Sequence, residues 1–440
     1  MTQLFDILII GAGPAGLAAA HAAATYGARI CVLDDNPLAG GQIWRGGPDK
    51  QHDQHARSLW QDLQAARNVT FMQQCRVLYA PAPGQLLVQS AASAEVLHYQ
   101  RLIICSGARE LLLPFPGWTL PGVTGAGGLQ ALAKGGYPVA GKRVVVAGSG
   151  PLLLAVAATL LERGAQIAAI IEQAGTPQLA RFAAGLLYTP SKITQALQLW
   201  GRLRGVPYYR DSYVLAASDA PAGKACAPGL AHSANAFPGL RSISVRRGDG
   251  STMAIACDYL ACGYGLVPNL ELAMALGCAT NTDTDTETHA IRIDEWQQTS
   301  VPSVYSAGEG TGIGGVDKAL TEGRIAGLAA AGRRDLAQHH LGTRSRWQGF
   351  ARRLARAFAL RPEIHALADD DTIVCRCEDV CHGELRQHHS WRSAKLHTRC
   401  GMGPCQGRVC GSATAVLYGW RPDSVRAPLT PARVDSIIHS

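Results

Sequence analysis

The sequence predicts an α/β chain with two Rossmann-like parallel-sheet domains and a small, largely helical C-terminal domain. Two glycine-rich turns, 137 residues apart, each stand between a short apolar run and a helical stretch. Six of the thirteen cysteines crowd into the segment from Cys375 to Cys410. At 440 residues the chain is too long for one ordinary core, so two or three domains are expected.

The first element, Asp6–Gln42, reads strand, tight turn, helix, strand. Ile7–Ile10 is an apolar run too short for a helix and followed by glycine, as expected for a parallel strand buried on both faces. Gly11, Gly13 and Gly16 supply the tight turn, the close backbone approach to a pyrophosphate and the close contact of helix with sheet. The helix runs over Leu17–Ala24, its N-terminus toward the phosphates. Asp34 ends the second strand, Ile30–Leu33, where a carboxylate can accept hydrogen bonds from an adenosine ribose. Glycine-rich turns also serve packing, so the glycines alone are weak. Strand, helix and acid at the right spacing make a dinucleotide site.

A polar loop, Trp44–Ser58, leads to a helix expected over Leu59–Arg67 and short strands at Val69–Gln73 and Leu86–Gln89. A buried strand, Leu102–Cys105, ends in Ser106–Arg109. The small residues Ser106 and Gly107 either let the backbone pass close to a dinucleotide or make a plain tight turn. Leu113–Gly128, rich in proline and glycine, reads as a connector between domains.

The second strand-turn-helix has its strand at Arg143–Ala147 and its helix at Leu152–Arg163, with Glu172 closing the next strand. Gly148 and Gly150 fill two glycine positions, but Leu153 occupies the third, where a branched side chain is expected to push helix and strand apart. Whether this fold holds a nucleotide stays open; Glu172 favours a free ribose hydroxyl, hence NAD over NADP. Gln178–Arg204 suggests helices, Ala216–Gly229 a loop within the ambiguous stretch Asp211–Val245, and Tyr259–Asn269 repeats the strand-then-glycine pattern. The architecture is thus duplicated. A late strand, Ser303–Ala307, then runs into a Gly308-Glu309 turn and a helix.

Hydrophobic content of 47% and charged content of 17% are those of a globular protein. The formal net charge is +8, and from Leu336 onward 15 Lys and Arg stand against 9 Asp and Glu. Scattered arginines on a solvated surface account for this, and no nucleic acid partner is expected. No signal-peptide pattern and no bilayer-length apolar run is read, so a cytoplasmic chain is expected, membrane association being peripheral at most. Thirteen cysteines in such a chain suit reduced or metal-bound thiols rather than disulfides.

The cysteine pattern is VCRCEDVC at Val374–Cys381 and TRCGMGPCQGRVC at Thr398–Cys410. A two-iron, two-sulfur cluster needs four thiolates from two segments, with glycines letting the backbone fold round the inorganic sulfurs. CxC followed by CxxxxC meets that need. Structural zinc is the competing reading, although zinc sites usually show CxxC pairs.

The order GAGPAG, GGQ, SGA, a second GxGxx turn and VYSAGE resembles the flavoprotein disulfide reductase superfold over about residues 1–330. That resemblance implies FAD held by Gly11, Gly13, Pro14, Ala15, Gly16, Asp34, Gly41, Gln42, Ser106, Gly107, Gly308 and Glu309. Glu309 takes the place where the superfold more often has Asp against the ribityl or phosphate region. The redox cysteine pair of those reductases is absent, so dithiol chemistry is not expected. The cysteine segments resemble the ferredoxin-like domain first known from a bacterioferritin-associated protein, and the C-terminal part of anaerobic glycerol-phosphate dehydrogenases. This implies Cys375, Cys377, Cys405 and Cys410 as ligands of the two-iron, two-sulfur (2Fe-2S) cluster, with Cys381 and Cys400 extra.

GGQIWR, AGSGPLLL and TRCGMGPCQGRVC carry a closer resemblance over the whole length. It is to the larger flavoprotein (alpha) subunits of heteromeric opine oxidases, D-hydroxyproline and proline dehydrogenases, and hydrogen cyanide synthase, in which the Leu153 departure is typical. The resemblance implies an electron-transferring oxidoreductase subunit for CH–NH or CH–NH2 donors. Its partner would be a D-amino-acid-oxidase-like beta flavoprotein that oxidises the C–N bond, with a small third subunit in some assemblies. FMN at a subunit interface is a further implication, and NAD in the second domain stays open. Residues 1–125 with 280–335 would form the FAD domain, 126–279 the second Rossmann-like domain, and 336–440 the linker and iron–sulfur domain. The alternative is a self-contained NAD(P)H-dependent flavin reductase feeding its own cluster.

Overall fold

The computed structural model describes residues 4–47, 53–222, 239–282, 289–421 and 425–438. The chain divides into two compact units. One comprises Met1–Arg109, Val267–Arg352 and Ser424–Ser440; the other, Glu110–Leu266 and Arg353–Asp423.

The first unit is built on β1 (Leu4–Ile10), followed by α1 (Pro14–Ala24), β2 (Ile30–Leu33), α2 (Gln54–Ala65), β3 (Val69–Met72), β4 (Arg76–Tyr79), β5 (Gln85–Gln89) and β6 (Ala94–Ile104). The sheet order is β3-β2-β1-β6-β5-β4, and the late strand Val304–Ser306 pairs with β6. β1 lies parallel to β2, with Ile10 beside Leu33, and parallel to β6, with Ile10 beside Ile104. Ser306 in turn lies beside Ile104. The carboxyl ends of four strands thus stop at one edge, and chain order reverses between β1 and β6. Such a switch point is where open α/β sheets bind their ligands.

Ile7, Leu8 and Ile9 are fully buried, as the continuous apolar run requires of a strand covered on both faces. On one face α1 is clamped by the helix Val316–Ala330. A Cβ on Gly323 would stand 2.2 Å from the Ala15 carbonyl oxygen, and one on Gly327 would stand 2.2 Å from that of Ala19. Two glycines one turn apart therefore let the helices touch at backbone distance. This anchors the Gly308–Gly315 loop that precedes the second helix.

Two boundaries differ from expectation. α2 starts at Gln54 rather than Leu59, because Asp53 Oδ1 accepts hydrogen bonds from the amides of His55 and Ala56 and caps it. The Leu113–Gly128 stretch is more than a connector: Val123–Gly125 is an edge strand of the second sheet, and a helix begins at Ala126. Proline and glycine masked a strand of only three residues.

In the second unit five strands run parallel in the order Tyr208–Tyr209, Gln166–Glu172, Arg143–Gly148, Tyr259–Gly263, Val123–Gly125. The helix Leu152–Glu162 packs on this sheet with Leu153 buried. The expected separation of helix and strand is relieved across the sheet by Gly263, whose Cβ would come within 3.2 Å of Leu153 Cδ2. Helices Thr176–Gly185 and Pro190–Arg202 match the leucine spacing, and a three-stranded antiparallel sheet spans Tyr213–Ala256. The expected loop at Ala216–Gly229 begins in a strand, Tyr213–Ser218; its part from residue 223 onward lies outside the described residues.

The cysteine-rich region of this unit opens with a short hairpin, Ile373–Cys375 and Val380–Cys381, followed by helices Trp391–Thr398 and Cys410–Tyr418. Val374, Leu385, Trp391, Ala394 and Ala413 bury a small core against Cys375, Cys400 and Cys410. Residues 425–438 return to the first unit, where the Leu429 amide donates to the Leu78 carbonyl at 2.7 Å. Among the described residues no helix is long and apolar enough to cross a membrane.

Candidate functional sites

In the first unit the predicted residues converge on the carboxyl edge of the sheet. Gly11, at φ 102°, lies so close to β6 that a Cβ would stand 2.3 Å from the Cys105 carbonyl oxygen. A Cβ on Gly16 would meet Gly11 O at 1.8 Å. These two glycines are therefore fixed by packing. Gly13 is different: among the described residues a Cβ there would meet only Gly41 Cα, at 3.9 Å. Pro14 and Ala15 open α1, and the Gly40 amide donates to the Ala12 carbonyl at 2.7 Å, bringing Gly41 to the turn, while Gln42 Oε1 accepts from Arg45 Nη2 at 2.8 Å.

Asp34 is buried; its Oδ2 accepts from the Ala12 amide at 2.6 Å and its Oδ1 from the Asn36 amide at 2.8 Å. Ser106 Oγ donates to the Asn269 carbonyl at 2.8 Å, and Asn269 Nδ2 returns a bond to the Ser106 carbonyl at 2.9 Å. This reciprocal pair fixes the Ser106-Gly107 turn. Gly308, at φ 86°, follows the strand Val304–Ser306 beside Ala15. The Glu309 carboxylate accepts from the amides of Gly314 at 2.8 Å and Gly315 at 2.9 Å, and burial raises its pKa. It braces its own loop.

Two residues of the helix that follows this loop were not anticipated. Lys318 Nζ donates to the carbonyls of Gly308 and Gly312, to Thr311 Oγ1 at 2.8 Å and to Glu322 Oε2 at 2.9 Å. Both members of this ion pair are buried. Their i, i+4 spacing on an otherwise small and apolar helix face was the available signal.

The second turn repeats the geometry with a different neighbour. Glu172, buried, accepts from the Gly150 amide at 2.8 Å and the Ala174 amide at 2.9 Å. Burial pushes its carboxyl up to about 7. Facing Gly150 is the ring of Phe358.

The cysteine region gathers two of the predicted thiols, Cys375 and Cys410, with Cys400, while Cys405 and Cys377 adjoin this group. Ligand atoms of Cys375, Cys400 and Cys410 lie within 4.8 Å of one another. Cys405 is hydrogen-bonded to both Cys410 and Cys377. The hydrogen bond from Cys400 holds Cys375 down to about 2, and that from Cys410 holds Cys405 down to about 5, whereas Cys400 is pushed up to about 12. Backbone amides of Gly401 and Glu378 also reach Cys375, and those of Val409 and Gly407 reach Cys405. Thiolates so close repel one another unless a cation lies among them, so this donor set fits a metal or iron–sulfur group. Gly403 permits the approach of the two segments, because a Cβ there would stand 2.2 Å from Cys377 Cβ. Cys381 stands apart as the cap of a short helix, with Glu384 bonded back to its amide at 3.0 Å.

The remaining described cysteines, Cys31, Cys75, Cys105, Cys257, Cys262 and Cys278, are buried and free. Burial pushes Cys31, Cys105 and Cys257 up to about 12, which suits inert thiols.

Fold and sites together define a flavoprotein oxidoreductase with a C-terminal thiol site for a metal or iron–sulfur group. Residues 5–323 match the family model described as pyridine nucleotide-disulphide oxidoreductase, and the chain belongs to that family. It is 32% identical to a subunit of the opine oxidase of Rhizobium meliloti, over 99% of this chain and 98% of that one. It is 30% identical to hydrogen cyanide synthase subunit HcnB of Pseudomonas protegens, over 92% and 89%. Among solved structures, L-proline dehydrogenase from P. horikoshii shares the fold, with a TM-score of 0.65 and 17% identity, covering 99% of this chain and 80% of that one. Thioredoxin reductase from Lactococcus lactis does so with a TM-score of 0.53 and 17% identity, covering 76% and 99%.

Proposed function

We propose that this chain is the electron-transferring FAD and 2Fe-2S subunit of a heteromeric dehydrogenase. A partner flavoprotein subunit would oxidise the C–N bond of an amino or imino acid of the opine, hydroxyproline, proline or glycine class. The observation that supports the reading is the gathering of the Cys375, Cys400 and Cys410 thiols, with Cys405 and Cys377 adjoining, in a chain whose other unit has a flavin-type fold; of these, Cys375, Cys377, Cys405 and Cys410 are the proposed ligands. Whole-length similarity to proteins named as subunits of an opine oxidase and a hydrogen cyanide synthase supports the reading.

In this reading Gly11, Gly13, Pro14, Ala15 and Gly16 hold the FAD pyrophosphate, and Asp34 orients the adenosine ribose. Gly41 and Gln42 cover the turn, while Ser106, Gly107, Gly308 and Glu309 shape the flavin side. A flavin accepts electrons in pairs and an iron–sulfur cluster passes them singly. Turning CH–NH into C=N releases two electrons and two protons at the partner, and this chain carries the electrons onward.

The test is co-expression with the candidate partner. Dye reduction dependent on an opine, hydroxyproline, proline or glycine should appear only in the complex. Turnover of any of these by the isolated chain contradicts the reading. Fast NADH oxidation by the isolated chain would favour the NAD(P)H-dependent reductase, the reading that the Asp34-like placement of Glu172 supports.

A further inference from the structure

Both glycine-rich turns carry a buried acid that accepts a hydrogen bond from the turn: Asp34 from the Ala12 amide, Glu172 from the Gly150 amide. They differ in what faces the second glycine. At Gly13, among the described residues, the only heavy atom within 4 Å of an added Cβ is Gly41 Cα. At Gly150 the three nearest are Cγ, Cβ and Cδ1 of Phe358, at 3.7 to 4.0 Å. The second glycine is where the backbone must lie open for a dinucleotide's pyrophosphate.

Phe358 does not stand there alone. Ser149 Oγ donates to the Phe358 carbonyl at 2.8 Å, and Gln173 Nε2 donates to the Ala359 carbonyl at 2.9 Å. The Arg361 amide donates to Gln173 Oε1 at 3.0 Å. The Phe358 ring packs edge-on against Phe182, with centroids 5.1 Å apart. Arg361 ties the far end through Asp211 at 2.8 Å and lies 5.0 Å over the Tyr213 ring. Ser149 and Gln173 flank the two landmarks of the nucleotide pattern, the second glycine and the strand-ending acid. Both are committed to a stretch of main chain.

We infer that the second nucleotide-binding fold holds the chain's own segment Phe358–Arg361 as a resident internal ligand in place of a pyridine dinucleotide. The same segment runs, through the short helix Pro362–His365, toward the cysteine-bearing hairpin at Ile373–Cys381. The fold thus serves as the mount of the thiol site rather than as an entry point for hydride. A dinucleotide would have to break three hydrogen bonds and move the Phe358 ring, so its apparent affinity falls with the fraction of time the segment is away. The inference is independent of which substrate the proposed complex oxidises.

The experiment uses full-length protein with the flavin site saturated. NADH and ADP-ribose are titrated calorimetrically, and hydrogen exchange is followed in the peptides covering residues 148–153 and 358–361. The wild type should show no saturable binding of either ligand up to about millimolar concentration. The Arg361 amide should exchange slowly, unchanged by NADH. Phe358→Gly should gain ADP-ribose affinity by roughly tenfold or more, with protection appearing at residues 148–153. Micromolar NADH binding to the wild type that protects residues 148–153 overturns the inference. So does fast exchange of the Arg361 amide in the wild type, a reading that needs no variant to fold. A folded Phe358→Gly protein with no gain overturns the assignment of Phe358 as the block.

Discussion

Gly13 and Gly41 pass close but unequally: a Cβ on Gly41 would stand 3.1 Å from Gly13 Cα, whereas a Cβ on Gly13 would come no nearer than 3.9 Å to Gly41 Cα. Gly13 also has an ordinary backbone conformation, φ −77°. Among the described residues an added Cβ at Gly13 thus meets only ordinary contact, and in the proposed FAD site what it would obstruct is the approach of a pyrophosphate.

Gly13→Val should accordingly leave the fold intact while losing FAD, with affinity falling about a hundredfold or more. Gly16→Ala should instead destabilise the fold, since its Cβ would strike the Gly11 carbonyl. Flavin absorbance of the purified proteins beside their thermal unfolding separates the two effects. Full flavin content in Gly13→Val would remove this turn from the cofactor site.

Lys318 and Glu322 form a buried pair in which Glu322 Oε1 has no hydrogen-bond partner among the described residues. Lys318→Met leaves that carboxylate without its cation, and removing one member of a buried pair typically costs about 3–5 kcal/mol. Urea unfolding of the variant should show a loss of that order. Lys318→Met with Glu322→Leu should recover a good part of it. A single variant as stable as wild type would contradict a stabilising role for the Lys318–Glu322 pair.

Glu172 gives the second unit a pH dependence of definite sign. Burial raises its carboxyl from the ordinary 4.5 to about 7, so between these values the folded chain holds a proton that the unfolded chain has released. The stability it contributes is fully present below about pH 4.5 and is lost as pH rises through 7. The full loss is about 3 kcal/mol. Denaturant titrations from pH 5 to 8 should show this decline, and Glu172→Gln should flatten it. Identical slopes in the two proteins would rule the effect out.

Much of the first unit was legible because its signals are local. Ile7–Ile10, the glycines at 11, 13 and 16, and Asp34 lie within one strand-turn-helix-strand, and each residue type has one physical reason to be there. The cysteine spacing was legible for the same reason. What escaped was long-range or very short. Val123–Gly125 is a strand only because Tyr259–Gly263 lies beside it. Nothing near Phe358 in sequence says that it faces Gly150, and the compensation of Leu153 by Gly263 comes from the neighbouring strand. Cys400 joined the thiols through the turn of Gly401, at φ 81°, which spacing alone does not reveal. The cap at Asp53 and the Lys318–Glu322 spacing were readable and were missed.

The thiol set makes a residue-by-residue prediction. Serine at Cys375, Cys377, Cys405 or Cys410 should remove most of the bound iron, because a hydroxyl does not replace a thiolate ligand. Serine at Cys31, Cys75 or Cys278 should leave iron content unchanged. Cys400 lies among the ligand thiols and Cys381 outside them, so Cys400→Ser should perturb the visible spectrum while Cys381→Ser does not. If Cys400→Ser abolishes the cluster and Cys410→Ser spares it, the ligand set shifts by one CxxxxC step.

The most direct test of the electron-carrier account is metal and sulfide analysis of anaerobically purified protein, combined with paramagnetic resonance after dithionite reduction. About two irons and two acid-labile sulfides per chain are expected, with a reduced-state signal that disappears on reoxidation. One zinc per chain, with neither iron nor sulfide, would contradict it.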